Sequence, residues 1–225
     1  IYTTMVNWAQ IKTVLLDMDG TLLDLNFDNH FWLEHVPLRF AEKNRISLDE
    51  AKSEVSGRSR AIEGTLNWYC IDYWSKDLEL DILQLKEEVH HLIAEHPNVR
   101  DFLQEVRSSG RRVVIVTNAH SKSLALKMRK TELAPYLDAA YCSHDFGLPK
   151  EEPEFWSRFQ QEEPFDPQHT LLVDDSLSVL RSAERYGIAH LLAVYKPDTK
   201  NPPKDVGDFM AINGFGELLP VPPLL

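Results

Sequence analysis

Cysteine is nearly absent: Cys70 and Cys142 are the two in 225 residues. Two thiols so far apart make neither a disulfide framework nor a thiolate metal site, and they fit a reducing compartment with both packed inside. Long apolar runs are missing too. None approaches the ~20 residues that a membrane-spanning helix needs, and the first residues lack the charged-then-apolar pattern of an export leader. Positive charge is scarce, with 24 Lys and Arg against 35 Asp and Glu, for a formal net charge of −11. A field of that sign disfavours a nucleic-acid polymer or an anionic membrane as partner, and it repels small anions unless their site is locally positive. No internal repeat or low-complexity block occurs. The expectation is a soluble cytoplasmic protein, a monomer or weak dimer, whose partner is a small molecule.

What is present is an ordinary globular composition, 43% hydrophobic and 26% charged, in a length that suits one large domain or a domain carrying an insertion. The most informative stretch is TVLLDMDGTLLD at 13–24. Thr13 to Leu16 is an apolar and β-branched run that predicts a strand buried on both faces. It delivers Asp17 and Asp19 where the strand ends, then Gly20 for a sharp turn, then Thr21. Ligands gather at the carboxyl ends of strands in open α/β sheets. Two acids there need a cation or a proton nearby. The same letters also suit a surface turn, and the stretch alone does not choose.

From Asn26 to His96 no strand pattern occurs. Phe31, Trp32, His35 and Val36 recur at helical spacing up to Pro37, which is expected to interrupt or end that turn. Ser47 and Glu50 match a capping box that opens a helix, and residues 65–80 and 82–93 each read as helical. After Pro97 the pattern alternates. A helix from Val99, capped by Asn98 and ended by Gly110, leads to a strand ending at Thr117-Asn118. A helix over 121–131, a strand over 137–143, the loop FGLPKEEP and a helix over 154–161 follow. A strand over 169–173 ends in Asp174-Asp175-Ser176, a helix over 177–186 closes at Gly187, and a strand covers 189–194. A proline-rich loop and a short apolar element over 209–219 complete the chain. This alternation predicts an α/β fold, a doubly wound parallel sheet, with a small all-helical cap inserted after the first strand. The boundaries are 1–24 and 98–225 for the core and 25–97 for the insert. Right-handed crossovers then place the strand ends on one edge.

Four features share that edge: Asp17 with Asp19, Thr117-Asn118-Ala119, Lys150, and Asp174-Asp175. Each has an everyday reading alone. The second is a strand end that caps a helix, the third a solvated lysine, the fourth an acidic turn with Asp175 capping the next helix. Together they oppose several carboxylates with one ammonium, a hydroxyl and free amides, a set that suits Mg²⁺ and a phosphate. With DMDGT at 17–21, TNA at 117–119, PKEEP at 149–153 and VDDS at 173–176 in that order, the chain resembles the haloacid dehalogenase-like (HAD) hydrolase superfamily over nearly its whole length. DMDGTLLDLNFDNHFW, TLNWYCIDYW, TNAHS and HDFGLPKE further resemble the bacterial purine mononucleotide 5′-nucleotidases that act on GMP and IMP.

The resemblance implies phosphoryl transfer through an aspartyl-phosphate. Asp17 is then the nucleophile and Asp19 the acid and base. Thr117, with the amides of Asn118 and Ala119 and those of Met18 and Asp19, holds phosphoryl oxygens, and Lys150 neutralises charge on Asp17 and the phosphate. Mg²⁺ falls to Asp17, the Asp19 carbonyl and Asp175, with Asp174 acting through water. The dehalogenases lack an acid at the position of Asp19, since a departing halide needs no proton, so phosphate ester cleavage is expected.

The insert carries Phe27, Phe31, Trp32, Trp68, Tyr69, Tyr73 and Trp74, which suit either a helical core or a stacked purine. Asn67, Trp68 and Tyr69 are the candidates for base or ribose contact, and Asn29, His30, His120 and His144 are further candidates for the cleft. His90-His91 reads as surface. The substrate is expected to be a purine mononucleotide, with phosphoglycolate or a sugar phosphate as the alternative, and a phosphate-binding protein without turnover as the reading from another class.

Overall fold

Thr13–Leu16 (β1) is buried along its whole length, and the sheet is built around it. Arg112–Thr117 (β2), Ala139–Cys142 (β3), Thr170–Val173 (β4), His190–Val194 (β5) and Ala211–Ile212 (β6) complete a six-stranded sheet in the order β3-β2-β1-β4-β5-β6. Every pairing is parallel, with Leu15 between Val114 and Leu172. A parallel sheet needs cover on both faces, which explains the near-continuous apolar strands. The computed structural model describes residues 5–225, so the first four positions of the core segment expected at 1–24 lie outside the described residues.

Between β1 and β2 the chain is helical: Asn26–His30 (α1), a π-turn over Phe31–His35, Val36–Asn44 (α2), Leu48–Ile62 (α3), Ile71–Leu78 (α4) and Ile82–Glu88 (α5). These segments have an apolar cluster of their own, including Phe27, Phe31, Phe40, Val55, Trp74 and Ile82. Two chain crossings join them to the sheet, where the Asp24 amide donates to the Ala94 carbonyl and the His96 amide to that of Leu22, at 2.8 and 2.9 Å.

Val99–Ser108 (α6), Ser121–Thr131 (α7), Pro153–Glu162 (α8) and Leu177–Tyr186 (α9) flank the sheet. Strand residues alternate between its faces. Val14, Leu16, Val113, Ile115 and Val173 meet Phe102, Leu103 and Val106 of α6, with Leu124 and Met128 of α7 alongside. Leu15, Val114, Val116 and Leu172 meet Phe155, Trp156 and Phe159 of α8 and Leu180 and Ala183 of α9. Each such large side chain contributes about 1.5–3 kcal/mol on burial. With helices on both faces, the doubly wound α/β class expected from the alternation is the one observed.

Several local expectations change. Pro37 does not end a helix. It lies in the first turn of α2 behind the π-turn, where a missing amide proton costs little. Residues 65–80 are not one helix: a 3₁₀ turn over Leu66–Tyr69 stops at Cys70, whose extended backbone and Sγ cap α4 instead. The 82–93 segment breaks at Val89 into a further 3₁₀ turn. Asn98 precedes α6 in a left-handed conformation, φ 64°, without a side-chain cap. The Ser47–Glu50 capping box forms as the spacing predicts. The apolar element near the end includes β6, a sixth strand that two residues are too short to signal.

Candidate active site

The strand order delivers the expected residues to one edge. The Asp17 amide donates to the Val173 carbonyl at 3.0 Å, which continues the ladder one step past β1 and aims the carboxylate off the sheet. Lys150, 1% exposed, places Nζ 2.9 Å from Asp17 Oδ1, 2.6 Å from Asp174 Oδ2 and 2.9 Å from the Val116 carbonyl. Carboxylate oxygens of Asp17, Asp174 and Asp175 lie within 4.8 Å of one another. Gly20, at φ +84°, turns the chain beside Asp175. The Thr21 hydroxyl donates to Asp17 Oδ2 at 3.3 Å.

The electrostatics follow from three acids facing one ammonium. Burial and the neighbouring Asp174 raise the Asp17 carboxyl above its ordinary range, against the pull of Lys150. Burial with Asp17 and Asp174 raises Asp175 as well. Burial works against the charged form of Lys150, but Asp17 and Asp174 outweigh it and hold its pKa above normal. Ionising all three acids would leave more negative charge than Lys150 balances, and they offer oxygen donors to whatever cation makes up the difference. That donor set fits a hard divalent cation such as Mg²⁺. Within it Asp174 is already engaged, since Oδ2 accepts from Lys150 and Oδ1 from the Ser176 amide at 2.9 Å. The nearest cation to Asp175 is Lys204 Nζ, 3.7 Å from Oδ2. Ser176, rather than Asp175, caps α9.

Thr117 ends β2 at the same edge, and its hydroxyl accepts from the Ala119 amide at 3.0 Å. The Asn118 side chain faces the lysine loop: Oδ1 accepts from the Lys150 amide and Nδ2 donates to Glu151 Oε2, both at 2.9 Å. Met18 turns its side chain into the core. Its carbonyl accepts from the amides of Thr21, Leu22 and Leu23. Asp19 bonds Lys127.

A cavity of about 460 Å³ opens from this edge toward the helical insert, and Trp32, Trp68, Tyr69 and Trp74 form much of its far wall. Tyr69 and Trp68 thus line the space as expected. Tyr69 donates to Glu151 Oε1 at 2.6 Å, and Trp68 Nε1 to the Ser59 hydroxyl at 2.8 Å. Asn67 does not line it: it is exposed, because the 3₁₀ turn directs its neighbours inward. Phe27, Phe31 and Tyr73 pack with the insert cluster instead. Asn29 and His120 reach the cavity, whereas His30 and His144 do not. His144 Nε2 pairs with the Asn118 carbonyl at 3.1 Å.

Three charged residues of the cavity region escaped the sequence reading. Lys127 is buried on α7, where Ser123, Leu126, Lys127 and Thr131 form the inward stripe. Lys86 is buried on α5, its Nζ 4.5 Å from the Phe31 ring centre, and burial with the nearby Lys127 lowers its pKa to about 8. Asp28 on α1 accepts from Lys127, while its Oδ2 is buried without a hydrogen-bond partner among the described residues. A lysine on the inward face of an amphipathic helix was the available signal in both cases.

A model of the haloacid dehalogenase-like hydrolases matches residues 11–187. The chain is 37% identical over 215 residues, 96% of its length and 97% of the relative's, to the GMP/IMP nucleotidase YrfG of Escherichia coli. It is 28% identical over 192 residues, 82% of its length and 83% of the relative's, to the phosphoglycolate phosphatase of Nitrosospira multiformis. The crystal structure of a HAD phosphatase from Thermococcus onnurineus superposes with a TM-score of 0.78, covering 92% of this chain and 96% of that one at 25% identity. A family match that spans Asp17, Thr117, Lys150 and Asp175, on a sheet that gathers them at one edge, leads to one conclusion: the chain belongs to the haloacid dehalogenase-like hydrolase family.

Proposed function

We propose that this hydrolase is a Mg²⁺-dependent phosphatase of small phosphate monoesters, with the purine 5′-mononucleotides GMP and IMP as its first substrates, working in the cytoplasm. The observation that carries the reading is the group of Asp17, Asp174 and Asp175 around Lys150, at one end of a cavity that Trp32, Trp68, Tyr69 and Trp74 line from the insert. The 37% identical nucleotidase supports the choice of base.

Asp17 acts as nucleophile. One carboxylate oxygen attacks phosphorus in line, the bond from phosphorus to the 5′-oxygen breaks, and the phosphoryl group stays on Asp17. Asp19 gives its proton to the departing oxygen, then takes one from the water that cleaves the acyl-phosphate. Its carboxyl is suited to both roles, since burial and the adjacent Asp28, against Lys127, push its pKa up to about 6. Lys150 neutralises charge on Asp17 and the transferring group. Thr117 and the amides of Asn118, Met18 and Asp19 bind phosphoryl oxygens; the Ala119 amide, expected to do so as well, is engaged by the Thr117 hydroxyl and orients it.

A bound Mg²⁺ offsets the repulsion between carboxylate and phosphate. Asp17, Asp175 and the Asp19 carbonyl would hold it directly, with Asp174, whose oxygens already accept hydrogen bonds, one water further out. Residues 25–97 serve as a cap that excludes bulk water, a role supported by their separate apolar cluster and by the Tyr69–Glu151 bond that ties the insert to the loop after Lys150. Trp68 and Tyr69 are the proposed contacts to base or ribose.

The test is phosphate release from GMP, IMP, AMP, phosphoglycolate and sugar phosphates, with Mg²⁺ and with EDTA. The expected result is Mg²⁺-dependent release with GMP and IMP leading. Release from none of the esters would end the phosphatase reading. A lead for phosphoglycolate, the substrate named for the 28% identical relative, would keep the chemistry and replace the substrate.

A further inference from the structure

Lys127 occupies an unusual position for a lysine. It faces inward from α7, is 1% exposed, and lies over the Phe27 ring with Nζ 5.0 Å from the ring centre. Taking an ammonium out of water is costly, and an apolar residue would fill the same stripe. What the ammonium does there is join two carboxylates from different parts of the chain. It bonds Asp19 Oδ1, on the turn after β1, and Asp28 Oδ1, on the first helix of the insert, at 2.8 Å for the latter. The core helix α7, the catalytic turn and α1 thus meet at one nitrogen.

Resting on the phosphatase reading, we infer that Lys127 is a positioning residue for the general acid. It holds Oδ1 of Asp19, which leaves Oδ2 to carry the proton to the departing oxygen as that oxygen separates from phosphorus. Asp28 holds Lys127 in turn, so the acid is in register only when α1 is seated against the core. A carboxyl that must meet one oxygen of the substrate loses most of its effect when displaced by an ångström, and the Asp19 side chain has two torsions free to let that happen.

A structural role and a positioning role separate on leaving-group chemistry. An alkoxide needs the proton from Asp19, whereas p-nitrophenolate leaves without one. The ratio kcat/KM reports steps through transfer to Asp17 and not the later hydrolysis, so the second duty of Asp19 does not enter. The experiment compares p-nitrophenyl phosphate with the alkyl phosphate that the wild-type enzyme cleaves best, in Lys127→Met and Asp28→Asn. The second variant keeps the Asp19–Lys127 pair and guards against a Lys127→Met protein that does not fold.

Lys127→Met is expected to lower kcat/KM for the alkyl ester by about 30- to 100-fold and for the aryl ester by less than about 3-fold, a loss no larger than the roughly 100-fold lower end of what a general acid contributes, because Asp19 itself remains. Asp28→Asn is expected to show the same selectivity at about 3- to 10-fold. Equal losses on both esters, or no loss on the alkyl ester, overturn the inference. If the wild-type enzyme cleaves neither ester, the phosphatase reading itself has failed and the inference falls with it.

Discussion

Gly20 makes room for Asp175: a β-carbon at Gly20 would lie 2.7 Å from Asp175 Oδ2 and 2.8 Å from its Cγ. The glycine of the first motif is therefore a spatial requirement of the last one, in addition to supplying a backbone at φ +84°. Gly20→Ala should push Asp175 off its position and strain the turn by about 1–2 kcal/mol. The Mg²⁺ concentration for half-maximal activity should rise by about 10-fold or more, as for loss of groups that orient a metal ligand. An unchanged metal dependence would show that Asp175 does not bind the ion.

Asp17→Asn removes the proposed nucleophile and one charge from a crowded acidic cluster. Phosphate release should fall below about one part in a thousand, as for removal of a nucleophile that works within a unit. The metal-free melting temperature should hold or rise, because burial and Asp174 both disfavour the ionised carboxylate that is lost. Activity is read on freshly purified variant to exclude deamidation, and full turnover would end the mechanism.

Lys150→Met has the opposite thermal signature. It strands Asp17 and Asp174 without their shared cation, and breaking a buried pair of this kind costs about 3–5 kcal/mol. A fall in melting temperature of about 6 to 20 °C is expected for a chain of this size, together with loss of activity. Thermal denaturation in EDTA reads it directly. A melting temperature equal to that of the wild type would mean that the lysine carries no electrostatic burden.

The metal-free protein should lose stability at Asp19 as pH rises. Its carboxyl moves from an ordinary 3.8 to about 6 in the fold, so the folded state holds the proton more tightly than the unfolded one. Below about pH 4 both states are protonated and no penalty exists. The penalty grows through the interval and is complete above about 6, at about 1–3 kcal/mol. The melting temperature of wild type minus that of Asp19→Asn should therefore fall between pH 4 and 7 in EDTA. A flat or rising difference would contradict the raised pKa.

Tyr69→Phe removes the bond of 2.6 Å from the insert to Glu151. With a charged acceptor such a bond is worth about 1.5–3 kcal/mol. If it helps to hold the insert over the site, KM for the phosphate ester that the wild type cleaves best should rise about 3- to 10-fold with kcat within a factor of about two. Unchanged KM would place the contact outside the closing of the cavity.

Much of this molecule is legible in its sequence, and the reason is local. Strands such as Thr13–Leu16 and helices such as α7 and α9 declare themselves through apolar runs, period and end residues. Asp17, Thr117, Lys150 and Asp175 could be assembled because a parallel sheet with one-handed crossovers puts its strand ends on one edge. Where local signals compete, the pattern misleads. Cys70 splits a helix that the pattern joined, and the π-turn before Pro37 absorbs a residue that usually ends one.

The sequence by itself determined the class of fold, the order of the first five strands and of the helices that flank the sheet, and the acids and ammonium available for chemistry, because these depend on neighbours within a few positions. Only the tertiary structure decided that Asn118 serves the Lys150 loop, that Gly20 yields its space to Asp175, that Asn67 points away from the cavity, and that Lys127 links Asp19 to Asp28. Each of those facts is a distance between residues remote in the chain. The physical reason is that hydrogen bonds and ion pairs fall off within a few ångströms, so which of many polar side chains meet is set by how helices and sheet pack, and packing leaves no periodic trace in the letters.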